Sequence, residues 1–143
     1  MGNTSKSGKA GTSVFHKDQR IQLLETLPTH DIVELLVCEQ IEAFRAVGKA
    51  TEAIAEAARL VVERSGRLIF AGAGTSIRLG AMNAIECGPT FGTRHLFTYM
   101  AAGGDKALLD SVEGAEDSEQ SAKDALSALH PDQDDVVCGI AAS

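Results

Sequence analysis

Apolar positions in the first half of the chain recur three or four residues apart, which is the spacing of one face of an α-helix. Two helices are predicted there. The first begins with Thr29 as its N-cap, and the second covers residues 49–64, with Gly66 as the residue that follows its end. The apolar face of the first helix carries Val33, Val37, Ile41 and Phe44.

Beyond Gly66 the apolar residues form short runs bounded by glycine and polar residues, which indicates buried strands. Strands are predicted over residues 67–71, 96–101 and 135–141, and helices over residues 77–87, 106–112 and 119–129. Alternating strands and helices predict an α/β fold with a parallel sheet and right-handed crossovers. The turns at Gly72, Gly103 and Ser143 should then share the carboxyl edge of the sheet, where such folds bind ligands.

Three regions follow from this pattern. Residues 1–19 are rich in Gly, Ser, Thr and Lys, and bury too little apolar surface to offset the entropy of ordering, so a disordered tail is expected. Residues 20–66 form the helical region. Residues 67–143 form the α/β region.

The segment Gly72-Ala73-Gly74-Thr75-Ser76 joins the first strand to the next helix. Glycine lets the backbone approach a ligand, Thr75 or Ser76 can cap the helix, and a helix N-terminus favours an anion. We therefore predict that Gly74, Thr75 and Ser76 bind a phosphate group. The alternative is an ordinary tight turn, because Ile77 stands where a dinucleotide-binding motif has its third glycine.

Composition excludes several classes of function. A net charge of -7 disfavours nucleic acids and anionic membrane surfaces as partners. No apolar run is long enough to span a membrane. The three cysteines are odd in number and far apart, so reduced thiols in the cytoplasm are expected. The four histidines are scattered, and no metal is inferred.

Several longer segments carry a more specific signal. They are GAGTSIRLG and AMNAIECGPTFG within residues 72–92, AAGGD at residues 101–105, EGAEDS at residues 113–118 and GIAAS at residues 139–143. In order and spacing they resemble the N-acetylmuramic acid 6-phosphate etherases, which have a sugar-isomerase (SIS) fold. The glucokinase regulatory protein shares several of these segments. The chain departs from the etherase pattern at Ile77, Asn83 and Gly88.

The resemblance implies a carbon–oxygen lyase without a cofactor, which converts N-acetylmuramic acid 6-phosphate to N-acetylglucosamine 6-phosphate and D-lactate. Glu86 and Glu116 match the two catalytic glutamates of the family, as acid and base respectively, and Asp117 and Ser118 are competing caps of the helix that follows. Glu86 lies in an otherwise apolar segment. Burial raises the pKa of a carboxyl, which would keep one of the two glutamates protonated near neutrality. Ser143 joins Gly74, Thr75 and Ser76 in the phosphate site.

The resemblance also implies a homodimer and a small sugar phosphate as the ligand. The family continues for about as long again beyond Ser143, so the chain is expected to hold a truncated SIS-type parallel sheet flanked by helices and preceded by two N-terminal helices. Two alternatives stay open: a non-catalytic sugar-phosphate-binding regulator of the glucokinase-regulator type, and an inactive fragment.

Overall fold

The computed structural model of the protein describes residues 24–93 and 95–142. The predicted tail at residues 1–19 and the predicted ligand residue Ser143 lie outside the described residues. The chain divides into two units, Met1–Thr51 and Glu52–Ser143.

Helix α1 spans Thr29–Lys49 in the first unit. Its N-cap is Pro28, whose carbonyl accepts the N–H of Ile32 at 3.1 Å, so the prediction that Thr29 is the N-cap is wrong by one residue. The extended backbone of Pro28 suits this position, since an N-cap offers its carbonyl to the first helical bond whatever its side chain. The predicted apolar face is exposed, and Phe44 is 75% exposed.

Helix α2 spans Thr51–Arg64, so the predicted range 49–64 began two residues early. Ser65 follows it in the left-handed region, with φ 59°, which is the role that the sequence suggested for Gly66. Gly66 is needed for a different reason. A Cβ atom there would lie 2.2 Å from the carbonyl oxygen of Asp134, so the backbone approaches too closely for any side chain.

Three parallel strands form the sheet of the second unit, as the alternation of elements predicts. They are β1 at Leu68–Gly72, β2 at Phe97–Ala101 and β3 at Val136–Ile140. The strand order is β2-β1-β3, so β1 is central, and its Ile69 is completely buried. Gly72 is level with Ala101 and Ile140 at the carboxyl edge.

Helix α3 spans Gly74–Phe91 and packs on β1. Its buried residues recur at helical spacing and are Ile77, Gly80, Ala81, Ala84 and Gly88. A Cβ atom at Gly80 would lie 2.9 Å from Cβ of Phe70 on β1. The small residue therefore lets the helix lie close to the central strand.

The predicted bounds of α3, residues 77–87, are too narrow at both ends. The helix continues through Gly88 and Pro89 to a left-handed C-cap at Gly92, with φ 70°. The helix therefore runs four residues beyond its predicted end at Cys87. Gly88 is buried in these last turns of α3.

Two further helices connect β2 to β3: α4 at Lys106–Leu109 and α5 at Glu119–Ala128. Both are shorter than predicted. Of the two candidate caps for α5, the structure uses Ser118, whose Oγ accepts the N–H of Ser121 at 3.2 Å. This bond holds the end of the loop that contains Glu116.

Candidate functional site

The turn between β1 and α3 lies at the carboxyl edge of the sheet. A Cβ atom at Gly72 would lie 2.6 Å from the carbonyl oxygen of Ile140, so the turn passes close to β3. Gly74 has a φ of 55°, in the left-handed region that favours glycine. The backbone thus requires glycine at both positions: at Gly72 because β3 lies too close for a side chain, and at Gly74 because its φ is positive.

The N-cap of α3 is Ala73, and no side chain caps the helix. The expectation that Thr75 or Ser76 is the cap is wrong, because α3 begins at Gly74 and places both residues in its first turn. The N–H of Ile77 makes the first bond of the helix, to the carbonyl of Ala73 at 3.3 Å. The amides of residues 74–76 precede that bond, and such amides attract an anion.

Two neighbouring cavities open at this edge. The first, of about 360 Å³, includes Gly74, Arg78 and Glu116 in its lining, and we call it the Arg78 cavity. The second, of about 490 Å³, includes Gly72, Gly103 and Glu116, and we call it the strand-end cavity. The residues that line both are Ala73, Ala102 and Glu116.

Glu116, one of the two predicted catalytic glutamates, lines both cavities beside the glycine turn. It is exposed, in the loop that leads to the Ser118 cap of α5. Gly74 borders the same space. Thr75 and Ser76 do not line either cavity, although both are in the first turn of α3.

Glu86 lies elsewhere. It is twelve residues beyond Gly74 on α3, which is about 18 Å along the helix axis at 1.5 Å per residue. It is nine residues beyond Ile77, or about half a turn away from the buried face, and it is exposed. Its apolar neighbours do not bury it, since Ile85 is itself 60% exposed. Within one chain the structure does not bring Glu86 to the cavities that Glu116 lines.

Arg78 is a site residue that the sequence analysis did not single out. It lines the Arg78 cavity, and its Nη2 donates to the carbonyl of Ala107 at 3.3 Å. Its Nε is buried and has no hydrogen-bond partner among the described residues. The available signal was its position in GAGTSIRLG, one helical turn beyond the glycine that begins α3.

The three departures from the etherase pattern fit the fold locally. Ile77 is fully buried, and it is absent from the described non-glycine residues with positive φ, so its side chain is compatible with the turn. Asn83 is exposed, and its Nδ2 donates to the carbonyl of Leu79 at 2.8 Å. Gly88 is buried inside α3.

The part of the chain that the structure describes was also searched for metal sites, membrane-spanning helices and disulfides. Residues 24–93 and 95–142 contain no group of three or more His, Cys, Asp or Glu side chains suited to a metal ion. No helix among them is long and apolar enough to cross a membrane. The three cysteine thiols are free.

Residues 49–143 match the family model described as the glucokinase regulatory protein N-terminal SIS domain. The chain therefore belongs to this family of SIS domains, which agrees with its parallel sheet and with the resemblance of its motifs.

Among curated proteins, the chain is similar to N-acetylmuramic acid 6-phosphate etherases. That of Geobacillus thermodenitrificans is 42% identical over 131 residues, which cover 89% of this chain and 44% of the relative. That of Salmonella typhimurium is 45% identical over 128 residues, which cover 84% of this chain and 42% of the relative. The chain spans less than half the length of these relatives.

Proposed function

We propose that the protein is an N-acetylmuramic acid 6-phosphate etherase, a carbon–oxygen lyase that needs no cofactor. The observation that carries the proposal is the position of Glu116, which borders a cavity that starts at Gly74 of the glycine turn. The curated relatives named above carry this activity in their names. A small sugar phosphate is the expected ligand.

The phosphate binds at the start of α3 in this proposal. The amides and hydroxyls of Thr75 and Ser76, with Gly74 and Ser143, supply donors, and the helix N-terminus supplies partial positive charge. The sugar then extends toward Glu116.

The proposed chemistry needs one base and one acid. Opening of the sugar ring gives an aldehyde, which acidifies the proton on C2. Glu116 removes that proton, its electrons form a C2–C3 double bond, and the C3–O bond to the lactyl group breaks. Glu86 protonates the departing lactyl oxygen, and water then adds to the unsaturated intermediate. Each positioned acid–base group of this kind contributes roughly 10²–10⁴-fold to the rate.

A homodimer can bring together Glu86 and Glu116, which lie far apart within one chain. Glu86 shares the outer face of α3 with apolar side chains that are more than half exposed, and these are Leu79, Met82 and Ile85. Such a face suits contact between subunits. In this proposal Glu86 of one copy reaches the cavity that Glu116 of the second copy borders.

A second candidate is a non-catalytic sugar-phosphate-binding regulator. The family model favours it, since it describes the SIS domain of a regulatory protein. A regulator also needs only the phosphate site, so it does not require Glu86 and Glu116 to lie close together. The free thiols fit a reducing compartment, so we place either protein in the cytoplasm.

Release of D-lactate from N-acetylmuramic acid 6-phosphate by the full-length protein tests the proposal. An etherase releases one lactate for each N-acetylglucosamine 6-phosphate formed. Protein that binds N-acetylglucosamine 6-phosphate in calorimetry but releases no lactate would instead be the regulator.

A further inference from the structure

The Arg78 cavity has an unusual balance of charges. Among the described residues that line it, Asp110, Glu113 and Glu116 are acidic and only Arg78 is basic. Among the described residues Arg78 forms no ion pair with any of the three. Its guanidinium instead donates to one backbone carbonyl, that of Ala107 at 3.3 Å.

This leaves donors of Arg78 unused. A guanidinium has five N–H donors in a fixed planar fork. The buried Nε has no partner among the described residues, and a buried donor without a partner is costly unless a ligand satisfies it. Side chains on a helix lean toward its N-terminus, so Arg78 leans toward Gly74 and the cavity that both residues line.

We propose that Arg78 binds the carboxylate of the lactyl group of the ether substrate, as a second anion site distinct from the phosphate site at the start of α3. This inference rests on the proposed etherase function. The planar fork of arginine matches a carboxylate through two parallel hydrogen bonds.

The position of Glu116 supports this assignment. In the proposed reaction the base acts at C2, and the lactyl ether is on the adjacent C3. The lactyl carboxylate must therefore lie within a few bonds of the base, and Arg78 lines the same cavity as Glu116. The three acidic residues also oppose a phosphate, which carries about -1.5 to -2 charges, more strongly than a carboxylate with a single charge.

The test compares two ligands that differ in the lactyl group, using the full-length protein. For Arg78→Gln, we expect the KM for N-acetylmuramic acid 6-phosphate to rise roughly 10- to 100-fold, as for loss of hydrogen bonds to a charged group. The inhibition constant of N-acetylglucosamine 6-phosphate, which lacks the lactyl group, should stay within about twofold. That unchanged constant also reports an intact fold.

Arg78→Lys keeps the charge without the planar fork, so it should raise the KM by a smaller factor than Arg78→Gln. It also keeps the test available if Arg78→Gln does not fold. Arg59→Gln is the matched control, because Arg59 lies on α2 and pairs with Glu63 at the surface, and it should change neither constant.

Two results would overturn the inference while the etherase proposal stands. Equal increases in both constants would mean that Arg78 serves the phosphate or the fold, and no increase in either would mean that it binds neither group. Wild-type protein that releases no lactate would remove the etherase proposal and this inference with it, before any variant is compared.

Discussion

Arg67 and Asp135 join the amino ends of β1 and β3 through a bidentate ion pair. Arg67 Nη2 lies 2.6 Å from Asp135 Oδ2, its Nε lies 3.1 Å from Oδ1, and its backbone N–H donates to Oδ1 at 2.7 Å. The side chain of Asp135 is only 3% exposed. The same Nη2 also donates to the carbonyls of Leu129 and His130, so one guanidinium ties two strands to the end of α5.

Because of this ion pair, we expect the free energy of unfolding to depend on pH. Hydrogen bonds from the Arg67 side chain and backbone hold the pKa of Asp135 well below its usual range. A lowered folded-state pKa adds stability above the unfolded-state value of about 3.9, and that stability is lost as the pH falls below it. Asp135→Asn should therefore lower the urea midpoint of the full-length protein at pH 7, and the difference from wild type should shrink progressively below about pH 4.

Asp124→Asn is the control for that measurement. Asp124 is exposed on α5 and accepts a hydrogen bond from Gln120, so its replacement should change the midpoint little. A difference for Asp135→Asn that is equally large at pH 7 and pH 3 would contradict the assigned role of the carboxylate.

Replacement by alanine should have opposite effects on stability at Gly66 and at Gly48. Gly66→Ala should destabilise the protein by roughly 1–3 kcal/mol, because its Cβ would lie 2.2 Å from the carbonyl oxygen of Asp134. Gly48→Ala should stabilise it by up to about 1 kcal/mol, because Gly48 is inside α1 and its Cβ would meet nothing within 4 Å. Urea unfolding measures both, and a stable Gly66→Ala protein would refute the close approach.

Replacing Ser76 with Asp tests the phosphate site. An acidic residue in the first turn of a helix is favourable for folding, yet it puts negative charge where the phosphate should bind. Affinity for N-acetylglucosamine 6-phosphate, measured by calorimetry, should fall at least about tenfold in the full-length protein. Ser127→Asp on α5 adds the same charge elsewhere and should leave the affinity unchanged. Equal affinity in the two variants would remove the phosphate site from the proposal.

Replacing Glu116 with Gln tests the base. Turnover should fall roughly 10²-fold or more, and exchange of the C2 proton with deuterated water should stop, while substrate binding survives. Glu119→Gln is the matched control, since Glu119 is exposed on α5, pairs with Lys123 and lines neither cavity, and it should change neither turnover nor exchange. Persistent exchange in Glu116→Gln would leave the enzyme in place and the assignment of its base wrong.

Mixing two inactive variants tests the shared site. Glu86→Gln and Glu116→Gln each lack one member of the pair, so each homodimer should lose roughly 10²-fold or more in turnover. A mixed dimer regains one complete site if Glu86 and Glu116 come from different copies. After subunits exchange at equal amounts, about a quarter of wild-type lactate release should return, because half the dimers are mixed and each has one complete site of two. No recovery after confirmed exchange would place both glutamates in one copy.

The sequence alone determined the order and type of the elements in the α/β region. Short apolar runs such as Leu68-Ile69-Phe70 alternate with segments of helical periodicity, and this alternation predicted three parallel strands. The prediction succeeded because each run is a local pattern with few alternative interpretations. Glu116, which the resemblance singles out, lines a cavity with Gly74 of the glycine turn, and its role as the base stays a prediction. The element ends were less accurate, since α3 runs through Gly88 and Pro89, beyond its predicted end at Cys87.

Only the tertiary structure decided which side chains meet. Arg67 and Asp135 are far apart in sequence, and their pairing depends on β1 and β3 lying side by side. The unpartnered Nε of Arg78 depends on what surrounds it in space. The apolar run around Glu86 suggested burial, yet helical rotation turns that carboxylate away from the core. Contacts between distant segments and the direction of each side chain arise from packing, which no local pattern in the sequence encodes.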